Sequence, residues 1–264
     1  MKLLRKVWLL AIGSIVFYSC EKEVDVDLNT ASPQIIIEGV ITNTPGPYHV
    51  QISKTVNFSA ANSYPAVSGA LVVITDRTSN ITDTLSEDHA GMYETLTIQG
   101  ISGHSYDLFV SSEGQTYTAA TTMPFPVAFD SIEFIHRNNF GNNSIRAAPY
   151  FQDPAGVANY YTFNAFVNNR RLSSTFVFND RLSDGKYITQ QLFMDSAYIK
   201  VGDNVLVNMN CVDKNVWDYF NTLALQAEGG VQAVAPANPT SNISNNALGY
   251  FSAYTVQTKT AVAY

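Results

Sequence analysis

Ile35–Ile41 reads IIIEGVI, and this stretch decides the class of fold that the rest of the chain must complete. It is rich in β-branched residues and carries one charge, which is typical of a strand that is buried on both faces or nearly so. A turn cluster, Asn43–Pro47, follows, and Tyr48–Lys54 then alternates apolar and polar side chains like a second strand. The N-terminal part of the chain is therefore predicted to be built from β-strands.

Short strand patterns continue at an even spacing as far as residue 121, with turn residues between them. We predict further strands at Ala70–Thr75, Ile81–Leu85, Met92–Ile98, Tyr106–Ser111 and Thr116–Thr121. Regular spacing of short strands is the pattern of an all-β sandwich. We therefore assign residues 34–122 to an N-terminal β-sandwich, followed by a proline-containing linker at 123–128.

The remaining residues, 129–264, also begin with strand patterns but contain one predicted helix. Strands are expected at Ser131–Ile135, Ile145–Gln152, Asn159–Val167, Thr175–Asn179, Ile188–Phe193, Val205–Cys211 and Gly249–Gln257. Asp213 suits the N-cap of a helix, and the apolar spacing after it predicts a helix at about 213–228. The expected fold is mainly β, with two β-sandwich domains in tandem, immunoglobulin-like or transthyretin-like, and one α-helix in the C-terminal domain.

The N-terminus has the order of a secretory signal peptide. Basic Met1–Lys6 precedes the mostly apolar Val7–Tyr18, which is too short to span a membrane as a helix. Phe17–Cys20 is similar to the lipobox of bacterial lipoproteins, in which a small residue precedes the cysteine that is lipidated. We assign residues 1–19 to a lipoprotein signal peptide and predict lipidation of Cys20. The alternative is an ordinary signal peptide followed by a chance cysteine.

Residues 20–33 are assigned to an acidic tether. Its charged residues resemble the export signal of surface lipoproteins in the Bacteroidetes; they are Glu21, Lys22, Glu23, Asp25 and Asp27. That resemblance implies a lipid-anchored outer-membrane protein displayed at the cell surface. A solvated tether also favours charge, so a protein that faces the periplasm is the alternative.

Several segments occur in a particular order over nearly the whole chain that follows the signal peptide. They are Ile36–Gly46, Val67–Thr75, Gly91–Tyr93, Gly103–Tyr106, Asp180–Gly185, Pro236–Asn238, Asn242–Ile243 and Leu248–Phe251. This ordered set resembles the DUF4249 family of Bacteroidetes lipoproteins, whose function is unknown. Members are often encoded beside TonB-dependent outer-membrane transporters, so the resemblance implies such a transporter as a partner. Gly69–Thr121 also resembles the carboxypeptidase-regulatory or transthyretin-like sandwich, which usually serves as a spacer or binding platform.

The composition argues against several classes of function. The chain has 264 residues, a net charge of −7 and 46% hydrophobic residues, which excludes wholesale disorder. An acidic protein without a basic cluster is not expected to bind nucleic acid. Of the two cysteines, only Cys211 remains once Cys20 is acylated, and its place in a strand pattern predicts a buried, unreactive thiol.

No motif in the sequence points to catalysis. The four histidines are not at metal-ligand spacing, and no nucleophile elbow, dinucleotide fingerprint or P-loop occurs. Asp180 and Asp184 are candidates for a general-acid pair, and either Asp153 or Asp180–Asp184 is a candidate calcium site. Turns stabilised by Asp side chains are the simpler interpretation, because Ca²⁺ takes 6–8 oxygen ligands and no DxDxDG loop is present. We predict no catalytic residue, no metal and no cofactor.

Two adjacent aromatic pairs, Tyr160-Tyr161 and Tyr250-Phe251, fall in predicted strands, where successive side chains point to opposite faces. One member of each pair must leave the core, and Tyr160 and Tyr250 are the predicted binding residues for a sugar or a protein. Core packing or edge cover is the alternative. Three tripeptides that begin with Asp also resemble the O-glycosylation signal of the Bacteroidetes. Their acceptor residues are Thr84, Ser131 and Ser196.

Three functions stay open at this point. The first is a lipid-anchored accessory or ligand-binding subunit of a TonB-dependent transporter, without enzymatic activity. The second is a surface adhesin or structural envelope protein that works without a transporter. The third is a hydrolase whose site is assembled from scattered Asp and Tyr residues.

Overall fold

The computed structural model describes residues 32–57, 63–139, 142–192, 199–227 and 238–264. Within these ranges the chain forms β-strands and one α-helix. The strands β1 to β15 are, in chain order, Ile35–Thr42, His49–Lys54, Leu71–Asp76, Ile81–Thr84, Ser86–His89, Met92–Glu94, Ser105–Ser112, Gln115–Thr122, Phe129–Asn139, Asn142–Gln152, Tyr160–Val167, Arg170–Asn179, Tyr187–Thr189, Asn204–Val212 and Leu248–Val262. The helix α1, Lys214–Ala227, lies between β14 and β15 in the chain.

One eight-stranded sheet, in the order β12-β11-β14-β15-β1-β2-β6-β5, organises the described part of the chain. A four-stranded sheet, β4-β3-β7-β8, shares a hydrophobic core with β1, β2 and β6, and we call this pair of layers the first sandwich. A three-stranded sheet, β13-β10-β9, shares a second core with β11, β12 and β14, and this is the second sandwich. The large sheet thus serves as one layer of both sandwiches.

Strand β15 belongs to both sandwiches. Its residues 248–254 pair in parallel with β1, and residues 255–262 pair antiparallel with β14. Phe251 and Ala253 are buried in the first core, whereas Ala263, just beyond the strand, is buried in the second. The last strand, β15, therefore lies beside the first strand, β1, within the large sheet.

A glycine permits the close approach of β15 to β1. Gly249 has a φ of +93°, and a Cβ added there would lie 2.1 Å from the backbone oxygen of Ile37. Positive φ and this lack of space each exclude larger residues. Gly249 lies in one of the segments that carry the family resemblance.

The helix α1 packs on the face of the large sheet that points away from the cores. Tyr161 and Phe251 are fully buried in the cores, so their neighbours Tyr160 and Tyr250 point to the opposite face, where they contact α1. The predicted N-cap is confirmed, since Asp213 Oδ1 accepts the backbone N–H of Val216 at 2.9 Å.

The other carboxylate oxygen of Asp213 reaches the first sandwich. Oδ2 accepts the hydroxyl of Thr121 at 2.5 Å, and Thr121 lies on β8. The same threonine Oγ1 accepts the backbone N–H of Ala253 on β15. The start of the helix is thereby fixed to both layers of the first sandwich.

The predicted fold class, mainly β with sandwich-like sheets and one helix, is confirmed. The sequence does not predict β5, because all four of its side chains are exposed and no apolar alternation marks it. It also places the start of β12 at Thr175 instead of Arg170, since the first part of that strand is polar. No helix in the ranges described above is both long and apolar enough to cross a membrane.

The predicted linker at 123–128 contains one residue of each core, since Met123 is buried in the first and Val127 in the second. Ile243 and Ala247, however, return to the first core together with the start of β15. Residues 34–122 therefore share their core with the C-terminal part of the chain. The assignment of 34–122 and 129–264 to separate domains stays a prediction.

Candidate functional site

The two tyrosines predicted to bind a ligand lie at different depths beneath α1. The ring of Tyr250 is 4.9 Å from that of Tyr219 and 5.0 Å from that of Phe220, measured between centroids. Burial raises the pKa of both tyrosines, that of Tyr219 to about 12. Tyr250 therefore packs under the helix, which is the alternative that the sequence left open for it.

Tyr160 lies at the open, N-terminal end of α1. Its ring is 5.7 Å from that of Trp217, and both rings line a groove of about 500 Å³ between the helix and the ends of β11 and β12. The polar side chains of the groove are amides and charged groups; they are Asn179, Asp180, Arg181, Lys214, Asp218 and Asn221. An aromatic wall facing amide and charged groups is suited to a polar ligand with apolar faces.

One ion pair fixes part of this groove. Lys214 Nζ lies 2.6 Å from Asp218 Oδ2, one helical turn away, and this hydrogen bond raises the pKa of Lys214. The indole Nε1 of Trp217 is buried and has no hydrogen-bond partner among the described residues. The sequence indicated Trp217 only as an apolar helix residue, so its place in the groove was missed.

Three aspartates meet beside this groove, at one end of the second sandwich. Asp153 follows β10, Asp180 follows β12, and Asp184 lies in the turn before β13. Oxygen atoms of the three carboxylates lie within 4.8 Å of one another, and among the described residues this is the cluster that could hold a metal ion. Asp153 and Asp180 are only 1% and 4% exposed, whereas Asp184 is exposed.

Hydrogen bonds hold these carboxylates in place. Asp153 Oδ1 accepts the hydroxyl of Tyr161 at 2.5 Å, and its Oδ2 accepts the backbone N–H of Gly185 at 3.1 Å. Asp184 Oδ1 accepts the backbone N–H of Gly156 at 2.8 Å. These bonds join the loop after β10 to the turn before β13.

The charges of the cluster are not balanced by a basic side chain. None of the ion pairs between described residues includes Asp153, Asp180 or Asp184. Burial, followed by the neighbouring carboxylates, raises the pKa of Asp153 despite its hydrogen bonds to Tyr161 and Gly185. The sequence named these aspartates but could not bring Asp153 to the other two, because Asp180 lies 27 positions further along the chain.

The remaining predicted site residues are scattered. Thr84 is exposed at the end of β4, and Ser131 is half-buried on β9. Cys211 is a buried free cysteine, and its burial raises the pKa of the thiol. The other predicted residues lie outside the described ranges; they are Cys20, Glu21, Lys22, Glu23, Asp25, Asp27 and Ser196. The structure thus brings together Tyr160 and the 180–185 turn, whereas neither Thr84 nor Ser131 lines the groove.

Comparison with known families gives one match. Residues 21–260 match the model of a family described as a domain of unknown function, DUF4249. No curated protein matches the sequence at a significant level. Because the match extends over most of its length, the chain belongs to the DUF4249 family.

Proposed function

We propose that this member of the DUF4249 family is a non-enzymatic, lipid-anchored protein of the Bacteroidetes outer membrane. It binds a polar ligand in the Tyr160–Trp217 groove, and it serves as an accessory subunit of a TonB-dependent transporter at the cell surface. Its location is supported by the N-terminal sequence, and its binding role is supported by the chemistry of the groove.

The observation that carries the proposal is the order of residues before and after Cys20. A basic segment, twelve mostly apolar residues, the lipobox-like Phe17–Cys20 and an acidic run follow one another without interruption. Each buried methylene of an acyl chain contributes about 0.8 kcal/mol, so the two or three chains of a bacterial lipoprotein make a durable anchor. The anchor holds the sandwiches at the membrane that contains the transporter.

The groove supports a saccharide as the ligand. A sugar ring stacks its C–H face on an aromatic ring, as Tyr160 and Trp217 would allow, while its hydroxyls bond to amides and carboxylates. Asn179, Asn221 and Asp218 supply such groups around the rings. Most of the lining belongs to helix or strand residues, which hold their side chains in fixed directions.

The acidic cluster does not favour a hydrolase. Both oxygens of Asp153 accept hydrogen bonds and the side chain is fully buried, so this carboxylate is not presented to a substrate. A general acid and its partner must reach opposite sides of a scissile bond. We therefore assign the cluster no catalytic step.

The anchor is tested by labelling cells with tritiated palmitate. We expect label on the wild-type chain and none on a Cys20→Ala variant, which should leave the membrane fraction.

Protease shaving of intact cells then tests surface display, and complete protection of the folded region would contradict it. Co-purification in mild detergent tests the partner, and absence of a TonB-dependent transporter would favour the adhesin function.

The groove is tested with the full chain in mild detergent on an array of bacterial and plant oligosaccharides. Wild type is expected to bind a subset of glycans, and Tyr160→Ala and Trp217→Ala should lose these signals. Tyr64→Ala is the matched control, because Tyr64 is 56% exposed and does not line the groove. Equal binding by Tyr160→Ala and wild type would rule out the groove as the saccharide site.

A further inference from the structure

Among the residues that the structure describes, none supplies an ion pair to the three carboxylates of the acidic cluster. Asp153 and Asp180 are buried, and buried charges in proteins are normally paired with an opposite charge or bound to a metal. Proton uptake by one of them would relieve the repulsion, but hydrogen bonds that favour ionised carboxylates oppose this. A cation would satisfy the whole group at once.

An independent observation comes from Asn159. Its side chain is 9% exposed, and its Oδ1 atom is buried with no hydrogen-bond partner among the described residues. Buried amide oxygens are seldom left in this state, because each loses its water without gaining a donor. Something with a positive charge or an N–H or O–H donor is therefore expected beside this oxygen.

The register of the sheet shows where Asn159 points. Its N–H donates to Asp180 Oδ2 at 2.8 Å and its C=O accepts the N–H of Asp180, which continues the pairing of Tyr160 with Asn179. Directly opposed residues have side chains on the same face, so the amide of Asn159 lies beside the carboxylate of Asp180. Tyr161 lies on that face as well, and its hydroxyl bonds to Asp153. The side chain of Asn159 thus lies on the face of the sheet that carries Asp180 and Tyr161, the face on which Asp153 is held.

We propose that Asp153, Asp180, Asp184 and Asn159 bind a calcium ion. All four offer oxygen atoms, which hard divalent cations prefer, and no histidine or cysteine belongs to the cluster. Calcium accepts irregular coordination by 6–8 oxygens, whereas magnesium demands a near-ideal octahedron, so a set of loop and strand-end ligands suits calcium better. Backbone carbonyls and water would complete the shell.

The site would join four parts of the second sandwich. Its ligands come from the loop after β10, the residue before β11, the end of β12 and the turn before β13. Asp180 also lines the Tyr160–Trp217 groove, so the ion would hold that side of the groove in place. The inference goes beyond the proposed function and does not depend on it, because the ligands are independent of the anchor and of any transporter.

Direct binding is measured on the full chain in mild detergent, stripped of metal with EDTA and titrated with CaCl₂ by calorimetry. We expect one saturable site with a Kd of about 0.1–1 mM, the range of extracellular calcium modules. Terbium, a calcium mimic, should show sensitised emission on excitation of Tyr161 next to Asp153. No saturation of the wild type at about 10 mM calcium, well above that range, would overturn the proposal.

A variant and its matched control locate the ion. Asp180→Asn is expected to weaken calcium binding about tenfold or more. Asp203→Asn is the control, because Asp203 is also a turn aspartate that accepts a backbone N–H, from Lys200, but it lies outside the cluster. Unchanged affinity in Asp180→Asn, or equal losses in both variants, would contradict the assignment.

A second variant covers the case in which Asp180→Asn fails to fold. Asp184 is exposed, and an asparagine there can still accept the N–H of Gly156. In EDTA, Asp184→Asn should raise the melting temperature above that of wild type, because the substitution removes a repulsive charge. In about 5 mM calcium, above the expected Kd, the same substitution should lower the melting temperature below that of wild type, because a ligand of the ion is lost. The same difference from wild type in both conditions would show that the cluster is only a structural turn.

Discussion

The two sandwiches bury their aspartates in opposite surroundings. In the first sandwich, Asp83 Oδ2 accepts the backbone N–H groups of residues 96–98, at 2.7–2.9 Å. In the second, Asp153 faces the carboxylates of Asp180 and Asp184. Burial by itself raises the pKa of a carboxyl, but the hydrogen bonds to residues 96–98 hold the pKa of Asp83 below its usual value, whereas that of Asp153 is raised.

This difference separates a structural acid from a binding acid. The partners of Asp83 are backbone groups that the chain always carries, so its charge is compensated in the folded protein alone. The second cluster contains three acids and no base; hydrogen bonds to Asp153 and Asp180 compensate part of its charge, and the proposed ion would compensate the rest. In this protein, therefore, the buried carboxylates that lie beside other carboxylates are the proposed ion ligands, whereas Asp83, with no such neighbour in its cluster of N–H groups, is a folding element.

The largest expected effect is the loss of both sandwiches when the strand that they share is deleted. Deleting residues 248–264 removes β15, which forms part of both sandwiches. We expect both cores to unfold, although most of the first is built from residues 35–123. Hydrogen exchange measures this, and protected amides in β3 and β7 of the truncated chain would show that the first sandwich folds alone.

A smaller change tests the junction of β1 and β15. Gly249→Ala should destabilise the protein by about 4 kcal/mol, because it combines a left-handed φ with a Cβ that meets the oxygen of Ile37. Gly202→Ala is a matched control, since Gly202 has the same φ of +93° and no atom within 4 Å of the added Cβ. It should cost only about 1 kcal/mol. Similar values from urea-induced unfolding would show that the close approach of the strands does not matter.

Substitution of Asp83 and of Asp153 should change the free energy of unfolding by different amounts. Asp83→Ala should lower the free energy of unfolding by about 3 kcal/mol, because three backbone N–H groups, of which that of Ile98 is buried, lose their acceptor. Asp153→Asn, measured in EDTA, should be neutral or stabilising because it relieves repulsion from Asp180 and Asp184. Losses of equal size from the two substitutions would remove the distinction.

Asp213 tests how firmly the two regions are joined. Asp213→Ala should cost about 1–2 kcal/mol, since α1 loses its N-cap and Thr121 loses an acceptor. Asp218→Ala removes an acid from the same helix but breaks only the exposed pair with Lys214, so it should cost less than about 0.5 kcal/mol. Equal costs in urea-induced unfolding would mean that the cap contributes nothing.

The smallest expected effect is on the pH dependence of stability, to which Asp83 and Asp153 contribute with opposite signs. The stabilisation from Asp83, whose folded pKa is lowered, is present above the unfolded value of about 3.9 and is lost as the pH falls below it. Asp153 has a raised folded pKa, so its contribution is present below about 3.9 and is lost as the pH rises through the folded pKa. In EDTA, the stability of Asp153→Asn relative to wild type should therefore increase with pH. A flat difference between pH 3 and 7 would contradict this.

The sequence predicted well those elements that local pattern defines. The β-branched run Ile35–Ile41 predicted β1, and alternation of apolar residues predicted β2 and β11. The N-cap residue Asp213 predicted the start of α1 within one residue. The exposed strand β5 was missed, because an edge strand with four exposed side chains has no apolar face to read. Tyr160 was placed correctly off the core, but the helix that supplies its partner Trp217 comes from a distant part of the sequence.

The sequence by itself determined the β class, the single helix of the described ranges, the family and the residue types available for a site. Only the tertiary structure decided that β15 completes two sandwiches, that Tyr250 packs against Tyr219 and Phe220 while Tyr160 lines a groove, and that Asp153 meets Asp180 and Asp184. The physical reason is that alternation and capping act over a few residues along the chain. Strand pairing and charge repulsion act between segments whose distance in space is fixed only when the whole sheet has formed.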